Sequence, residues 1–257
     1  MKPPNAIERS LIEKAAADNG MDQPTSFEGP WLGFASTRAP LRLWLGVDGP
    51  RWRVALSMRK VAQALVSESA ATRVEVSRIT LPSDARSALE VEDPTALHHL
   101  VRRAFQLSRA LPDALLVTFE RETKHLPRAT EVERTVIQRV GQDIFRRGLL
   151  DYWEERCAVT SLALPVLLRA SHIKPWADCG SDAERLDVYN GLLLAVHLDA
   201  AFDKGLITFD DDGTIRLSSI LSERDQQALH LDDTLRVNLS VEHIPYLAWH
   251  QARIFQP

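Results

Sequence analysis

The stretch that ends at Gly205 constrains the fold of this chain more than any other part of its sequence. CAVT and PVLLRAS are short, largely apolar segments typical of two hairpin strands, and His172 follows directly after the second. HLDAAFDKG has the pattern of a short helix that ends at a glycine. These segments predict a strand–strand–helix core with a histidine at a strand end and acidic residues on the helix. An Asp-Asp-Gly turn between LITF and TIRLS then predicts a closing hairpin.

The first half of the chain predicts an α+β domain of its own. Its strands are predicted at WLGFAS, LRLWLGVD, RWRVALS, TRVEVSRITL and ALLVTFER, and its helices at MRKVAQALVSES and ALHHLVRRAFQLSRAL. Trp44 and Trp52 lie in this region together with several arginines. They are open to two interpretations, as readers of a base or modified nucleotide or as members of a half-buried sheet.

A long helix is predicted after the proline-containing linker KHLPRAT, with Thr130 as its N-cap and Glu133 completing a capping box. Its apolar face is predicted at Val132, Val136, Val140, Ile144 and Leu149. Another face carries Arg139, Gln142 and Arg146. That second face is either a solvated surface or a contact for phosphate.

Three residue types near the predicted helix suit phosphodiester hydrolysis. Asp199 and Asp203 are four residues apart, so on a helix they share one face, where a divalent cation would offset their repulsion. Alone, such a pair is equally explained by a helix cap and a solvated acid. His172 titrates near neutral pH and suits a base that takes a proton from water. Asn190 suits a residue that orients the imidazole or ties the connecting loop.

These residues stand in three boxes, SHIKPW (171–176), NGLLL (190–194) and DAAFDKG (199–205). In this order the boxes resemble the HNH endonuclease family, in particular its bacterial branch with a Ser-His-Ile-Lys-Pro-Trp box. RCAVT, the upstream RTVIQRVGQDIFRRGLLDYW and the tail YLAWHQARIF are similar to that branch as well. The resemblance covers roughly residues 130–255.

The resemblance implies a ββα-metal nuclease that acts on DNA and uses one divalent ion, Mg²⁺ or Mn²⁺. His172 matches the general base of the family, and Asn190 the central asparagine that holds the loop and the base. Asp199 matches the last metal ligand, and Asp203 lies where some relatives supply a further ligand.

The chain departs from the family pattern at two positions. Asp199 stands where the family name has its last histidine, which favours a hard, oxygen-preferring ion over zinc. Ser171 stands where many relatives have an acid or a histidine. Ser171 and His197 are further candidate contacts to metal or substrate, although His197 would lie about 200° from Asp199 around the helix.

Several other polar residues have weaker assignments. Lys174, Arg169 and Arg146 are candidate phosphate contacts, and each is equally explained as a solvated charge. Cys157 and Cys179 are too few for a zinc knot and form no Cys-x-x-Cys motif.

The composition of the chain excludes few classes of protein function. The net charge of −4 argues against non-specific coating of DNA, yet a nuclease keeps acids for its metal and a local basic face for phosphate. No apolar run is long enough to predict a membrane span. Two cysteines and a start without a signal-peptide pattern indicate a cytoplasmic protein.

The resulting expectation is an α+β protein with an N-terminal recognition or regulatory domain at 1–125 and an HNH nuclease domain at 130–257. By analogy, a role in restriction or phage defence follows, with an activating ligand or modified base at the first domain and a homodimer for double-strand breaks. One alternative is a DNA-binding module that keeps the HNH fold without cleavage. A metalloenzyme with another substrate ranks last.

Overall fold

The computed structural model describes residues 1–25, 27–68, 72–74, 79–127 and 129–257. Helices and strands are mixed, so the predicted α+β class is confirmed. The chain divides into two compact units, Met1–Leu111 and Pro112–Pro257. The division comes before the predicted domain limit at residue 125, because the helix that starts at Pro112 packs within the second unit.

The first unit is an antiparallel sheet with three helices packed on it. Its strand order is β1-β2-β3-β4-β6-β5. The strands are β1 (Gln23–Pro24), β2 (Leu32–Ala35), β3 (Arg42–Asp48), β4 (Arg51–Leu56), β5 (Thr72–Arg73) and β6 (Ser87–Val91), and the helices are α1 (Ala6–Asp18), α2 (Arg59–Glu68) and α3 (Pro94–Ala110). The predicted strands WLGFAS, LRLWLGVD and RWRVALS and the two predicted helices of this unit are confirmed. The strand predicted at TRVEVSRITL is reduced to Thr72–Arg73, since residues 74 and 79–81 form no strand and residues 75–78 lie outside the described residues.

Both tryptophans of this sheet are core residues. Trp44 is 3% exposed and Trp52 is 7% exposed. Trp44 packs in a cluster with Trp31, Ala55 and Ala85. The structure therefore supports the packed-sheet interpretation over base reading by these two side chains.

The second unit is mostly helical, with two small two-stranded sheets. Its helices are α4 (Pro112–Thr123), α5 (Glu131–Tyr152), α6 (Asp182–Arg185), α7 (Val196–Asp203), α8 (Glu223–Ala228) and α9 (Ile244–Arg253), and its strands are β7 (Leu168–His172), β8 (Gly191–Ala195), β9 (Ile207–Phe209) and β10 (Ile215–Leu217). No helix in the described part of the chain combines the length and the apolar character that a bilayer span requires.

The strand predicted at ALLVTFER is wrong, since this segment forms helix α4. Leu115, Phe119 and Thr123 are buried at intervals of four residues, whereas Val117 is 61% exposed. This is helical rather than alternating burial. The side chain of Leu115 lies against Gly148 of α5, where an added Cβ would meet it at 2.5 Å.

Helix α5 starts as predicted but buries a different face. The capping box of Thr130 and Glu133 is confirmed. Val132 and Val136 are 74% and 44% exposed, so the predicted apolar face is wrong in the first half of the helix. The buried residues all lie from the middle of the helix onward: Gly141, Ile144, Phe145, Gly148, Leu149 and Tyr152.

The first strand predicted for the active-site hairpin is also wrong. CAVT forms a turn in which the Sγ of buried Cys157 accepts a hydrogen bond from the amide of Thr160. Strand β7 pairs instead with β8, antiparallel, with His172 opposite Gly191. The closing hairpin is confirmed as β9 paired with β10.

Gly205 ends α7 in a conformation that a side chain would not tolerate. Its φ is +65°, and an added Cβ would overlap the carbonyl oxygen of Ile254. We expect Gly205→Ala to lower the free energy of unfolding by about 2–4 kcal/mol, from backbone strain and overpacking together.

Urea denaturation measures the effect of Gly205→Ala, with Gly180→Ala as the matched control. At Gly180 an added Cβ meets only the Glu184 carboxylate, at 3.7 Å. Equal stability of the two variants would contradict the assignment of strain to Gly205.

Candidate functional site

The β7–β8 pair and helix α7 form a strand–strand–helix unit. Helix α7 begins at Val196, directly after β8 ends at Ala195. Successive side chains of a strand point to opposite faces. Ser171 contacts α7 through Asp203, whereas His172 contacts α5 through Phe145. The side chains of these two adjacent residues therefore project from opposite faces of the same small sheet.

The imidazole of His172 is fixed by three groups. Its Nε2 lies 2.9 Å from the backbone carbonyl oxygen of Arg185. Phe145 stacks on the ring at a centroid distance of 3.8 Å and an interplanar angle of 15°. Trp176 contacts it edge-on at 5.8 Å. Because a carbonyl only accepts hydrogen bonds, Nε2 carries the proton in the neutral ring and Nδ1 carries the lone pair.

This environment favours an unprotonated imidazole. Burial lowers the pKa of His172 below its ordinary value, although the hydrogen bond to the Arg185 carbonyl acts in the opposite direction. No described residue hydrogen-bonds Nδ1. His172 is thus neutral near pH 7, with one ring nitrogen free to accept a proton.

Asn190 is fully buried, and its side chain joins two parts of the loop between β7 and β8. Its Oδ1 accepts from the Lys174 amide at 2.8 Å, and its Nδ2 donates to the Lys174 carbonyl at 3.1 Å and the Glu184 carbonyl at 3.3 Å. Nδ2 also contacts the Sγ of Cys179 at 3.3 Å. The amide therefore lies on the loop backbone rather than on the imidazole. It acts on His172 through the loop, since Arg185 follows Glu184 directly.

Asp199 and Asp203 share one face of α7 beside Ser171. The hydroxyl of Ser171 donates to Oδ1 of Asp203 at 3.3 Å. Desolvation raises the pKa of Asp199, and the charge of Asp203 raises it further, whereas Ser171 and Arg169 lower it. Asp203 is exposed as a whole residue, yet partial burial of its carboxylate raises its pKa. The site thus carries two like charges that repel and are incompletely neutralised.

The candidate cations differ in how far they are engaged. Arg169 is exposed and acts electrostatically on Asp199. Its hydrogen bonds to the carbonyls of Val166 and Leu168 are long, at 3.5 and 3.4 Å. Lys174 forms an ion pair with Glu184 at 2.7 Å, which raises the pKa of Lys174 and lowers that of Glu184. Arg146 donates to the carbonyls of Leu168 and Pro165, each at 2.9 Å. Of the three, Arg169 has its guanidinium most available to a phosphate.

The other candidate ligands do not converge on the two acids. His197 is exposed and is not among the groups that act on the Asp199 carboxylate. Cys157 and Cys179 are both buried and free. Within the described ranges, no group of three or more His, Cys, Asp or Glu side chains is arranged to hold a metal ion.

Two positions that shape the site were not predicted from the sequence. Arg185 contributes its backbone carbonyl, for which no side-chain signal exists. Its guanidinium also holds the loop by donating to the carbonyls of Cys179 and Trp176, at 2.7 and 3.2 Å. Phe145 is one of several apolar residues in a long helix, and nothing in the sequence distinguishes it from the others. Its contact with His172 depends on how α5 packs.

The second unit contains a strand–strand–helix unit, formed by β7, β8 and α7, with His172 at the end of β7. Residues 157–210 match the family model described as HNH endonuclease. The predicted resemblance is thereby confirmed, and the chain carries an HNH domain in this segment. Endonucleases of this family act on DNA and generally use a divalent metal ion. A search of curated proteins gave no match.

Proposed function

We propose that the protein is a metal-dependent DNA endonuclease in which His172 is the general base. One observation carries this proposal: the Arg185 carbonyl fixes the tautomer of His172, so that Nδ1 is a free proton acceptor. Ser171, the residue before His172, contacts the carboxylate of Asp203 and acts on that of Asp199, both on α7. A phosphodiester that crosses the end of β7 would meet both His172 and these carboxylates.

The proposed reaction is attack of water on the phosphorus of a DNA phosphodiester. Nδ1 of His172 takes one proton of the attacking water while the water oxygen forms a bond to phosphorus. The bond from phosphorus to the 3′ oxygen breaks, and the leaving oxygen takes a proton from solvent. A positioned base of this kind contributes about 10²–10⁴-fold to a rate.

Asp199 and Asp203, with Ser171, would hold the metal ion. Two carboxylates and a hydroxyl are hard oxygen donors, which fit Mg²⁺ or Mn²⁺ better than zinc, and the mutual repulsion of the acids favours a bound cation. Few protein ligands suit Mg²⁺, which keeps several waters. When bound, the ion would neutralise negative charge on the phosphate and the leaving oxygen.

Arg169 is the strongest of the proposed phosphate contacts. It shares a face of β7 with Ser171, two residues away, and its charge already acts on Asp199. Lys174 would have to leave its ion pair with Glu184 to bind phosphate directly. Arg146 and His197 keep their proposed roles with less support, given the carbonyl contacts of the first and the exposed position of the second.

A plasmid assay tests the proposal. Supercoiled DNA is incubated with the full chain in Mg²⁺, in Mn²⁺ and in EDTA, beside methylated and single-stranded DNA. Nicked or linear product that requires a metal ion supports the endonuclease. Inert protein on all three substrates, with DNA binding retained, favours the binding module.

Asp199→Asn separates metal binding from folding. We expect cleavage to fall about 10²-fold or more, because one ligand of the ion is lost. Removing one of two like charges one helical turn apart should also stabilise the metal-free protein by about 0.2–0.5 kcal/mol. Cleavage rates and thermal unfolding with and without Mn²⁺ measure the two effects.

Asp233→Asn is the matched control for Asp199→Asn, since it removes an exposed acid of the same unit. It should keep both the cleavage rate and the shift in Tm that Mn²⁺ produces. If Asp199→Asn retains the full Mn²⁺ shift, the metal lies elsewhere.

A DNA-binding module without cleavage is the second candidate function. Ser171 favours it, because a neutral hydroxyl is a weak metal ligand where relatives carry an acid or a histidine. The free Nδ1 of His172 and the retained acids favour the nuclease.

The proposed biological role is restriction or phage defence, with the N-terminal part selecting the substrate. An activating ligand or a modified base would bind there, at side chains other than the buried Trp44 and Trp52. A homodimer would supply the second active site for a double-strand break.

A further inference from the structure

Helix α5 lies outside the family-matched residues 157–210, yet it reaches the proposed base. The contact is possible because residue 191 lacks a side chain. Gly191 pairs directly with His172 across the sheet, so both positions face α5. A Cβ at Gly191 would lie 2.5 Å from Cζ of Phe145 and 2.9 Å from Cδ1 of Leu149. The ring of Phe145 thus occupies the space that a side chain on β8 would fill.

Two of the three contacts of His172, those with Phe145 and with the Arg185 carbonyl, restrict different motions of its ring. Phe145, which is 1% exposed, lies flat against the imidazole and fixes the plane of the ring. A flat wall alone would still allow a half-turn about χ2, which exchanges the position of Nδ1 with that of Cδ2 and the position of Nε2 with that of Cε1. The Arg185 carbonyl selects one of these two orientations. Together they leave a single position for Nδ1.

The residue after Phe145 holds the other end of the same strand. Arg146 donates to the carbonyls of Leu168, the first residue of β7, and of Pro165 just before it. Two consecutive residues of α5 therefore anchor β7 at its start and at its histidine.

We infer that Phe145 is a positioning residue for His172, which aligns Nδ1 with the attacking water. This inference rests on the proposed nuclease function. Proton transfer needs the base within hydrogen-bond reach and in the correct orientation, and small misplacements of a reacting group are costly. Phe145 acts through His172 and not by contact with the substrate or the metal ion.

Phe145→Leu tests the inference, because leucine keeps an apolar side chain but has no flat face. We expect kcat to fall about 10–100-fold with KM nearly unchanged, since alignment rather than DNA binding is lost. Ile144→Ala is the matched control, as Ile144 is also 1% exposed on α5. It should lose stability to a similar or greater degree and keep the kcat of the wild type.

Gly191→Ala tests the same contact from the opposite strand. Its methyl group would displace the ring of an unchanged Phe145 from His172. It should reproduce the fall in kcat, and adding Phe145→Leu to Gly191→Ala should cost little more. Wild-type kcat in Phe145→Leu, measured on folded protein, would overturn the inference.

Nitrogen-15 NMR of the His172 ring gives a readout that does not need cleavage. The wild type should show one neutral tautomer with the proton on Nε2, and Phe145→Leu should show both tautomers or a broadened signal. An unchanged ring spectrum in Phe145→Leu overturns the inference. If the wild type cuts no DNA, the nuclease proposal fails, whereas the ring spectra still decide whether Phe145 positions His172.

Discussion

His172→Ala is expected to lower metal-dependent cleavage of plasmid DNA by about 10²–10⁴-fold, the usual contribution of a positioned general base. The reason is local, because this variant removes the one ring nitrogen that the Arg185 contact leaves free to accept a proton. Binding of DNA should change far less, since the proposed phosphate and metal contacts stay in place. The rate of nicking under single-turnover conditions and the affinity for uncut DNA in EDTA measure the two quantities.

The control for this variant is His125→Ala, which removes an exposed histidine from the same unit. Thermal unfolding of both variants shows whether the loss of rate reflects the base or the fold, because His172 also packs against Phe145. If folded His172→Ala cuts at the wild-type rate, another group is the base.

Asn190→Asp is expected to lower the free energy of unfolding by about 3 kcal/mol or more, although it changes a single group of the side chain. Nδ2 of Asn190 donates to the carbonyls of Lys174 and Glu184. An aspartate places an oxygen against these two acceptors, inside a fully buried site. Cleavage should fall as well, because the loop then no longer holds the Arg185 carbonyl on His172.

Chemical denaturation and the plasmid assay measure this second prediction, with Asn238→Asp as control. Asn238 is exposed, so the same exchange should be nearly neutral there. Wild-type stability in Asn190→Asp would mean that the loop does not depend on this amide.

Local chemistry allowed parts of this structure to be predicted from the sequence. The capping box at Thr130 and Glu133 lies within one turn of helix, and Gly205 ends α7 because of its own backbone conformation. His172 was placed correctly at a strand end by the short apolar run before it. In each case the deciding interaction joins residues that are close in the sequence.

Other parts depend on tertiary packing and could not be predicted. ALLVTFER has the composition of a strand, but the contact of Leu115 with Gly148 of α5 favours a helix. β7 pairs with β8 across a loop, and not with the CAVT turn just before it. Two partners of His172, Phe145 of α5 and the backbone carbonyl of Arg185, have no recognisable pattern in the sequence.

The dependence of His172 on the Arg185 carbonyl has a consequence for mutational scans of this domain. Every residue type has a backbone carbonyl, so a substitution at position 185 cannot remove the acceptor itself. A substitution moves this carbonyl only indirectly, by releasing the loop as Asn190→Asp would. An insertion or deletion between Ile173 and Tyr189 moves it directly, because the path of the chain changes. The effect of changing the length of this loop is therefore the most direct measure of how strictly the position of this acceptor is required.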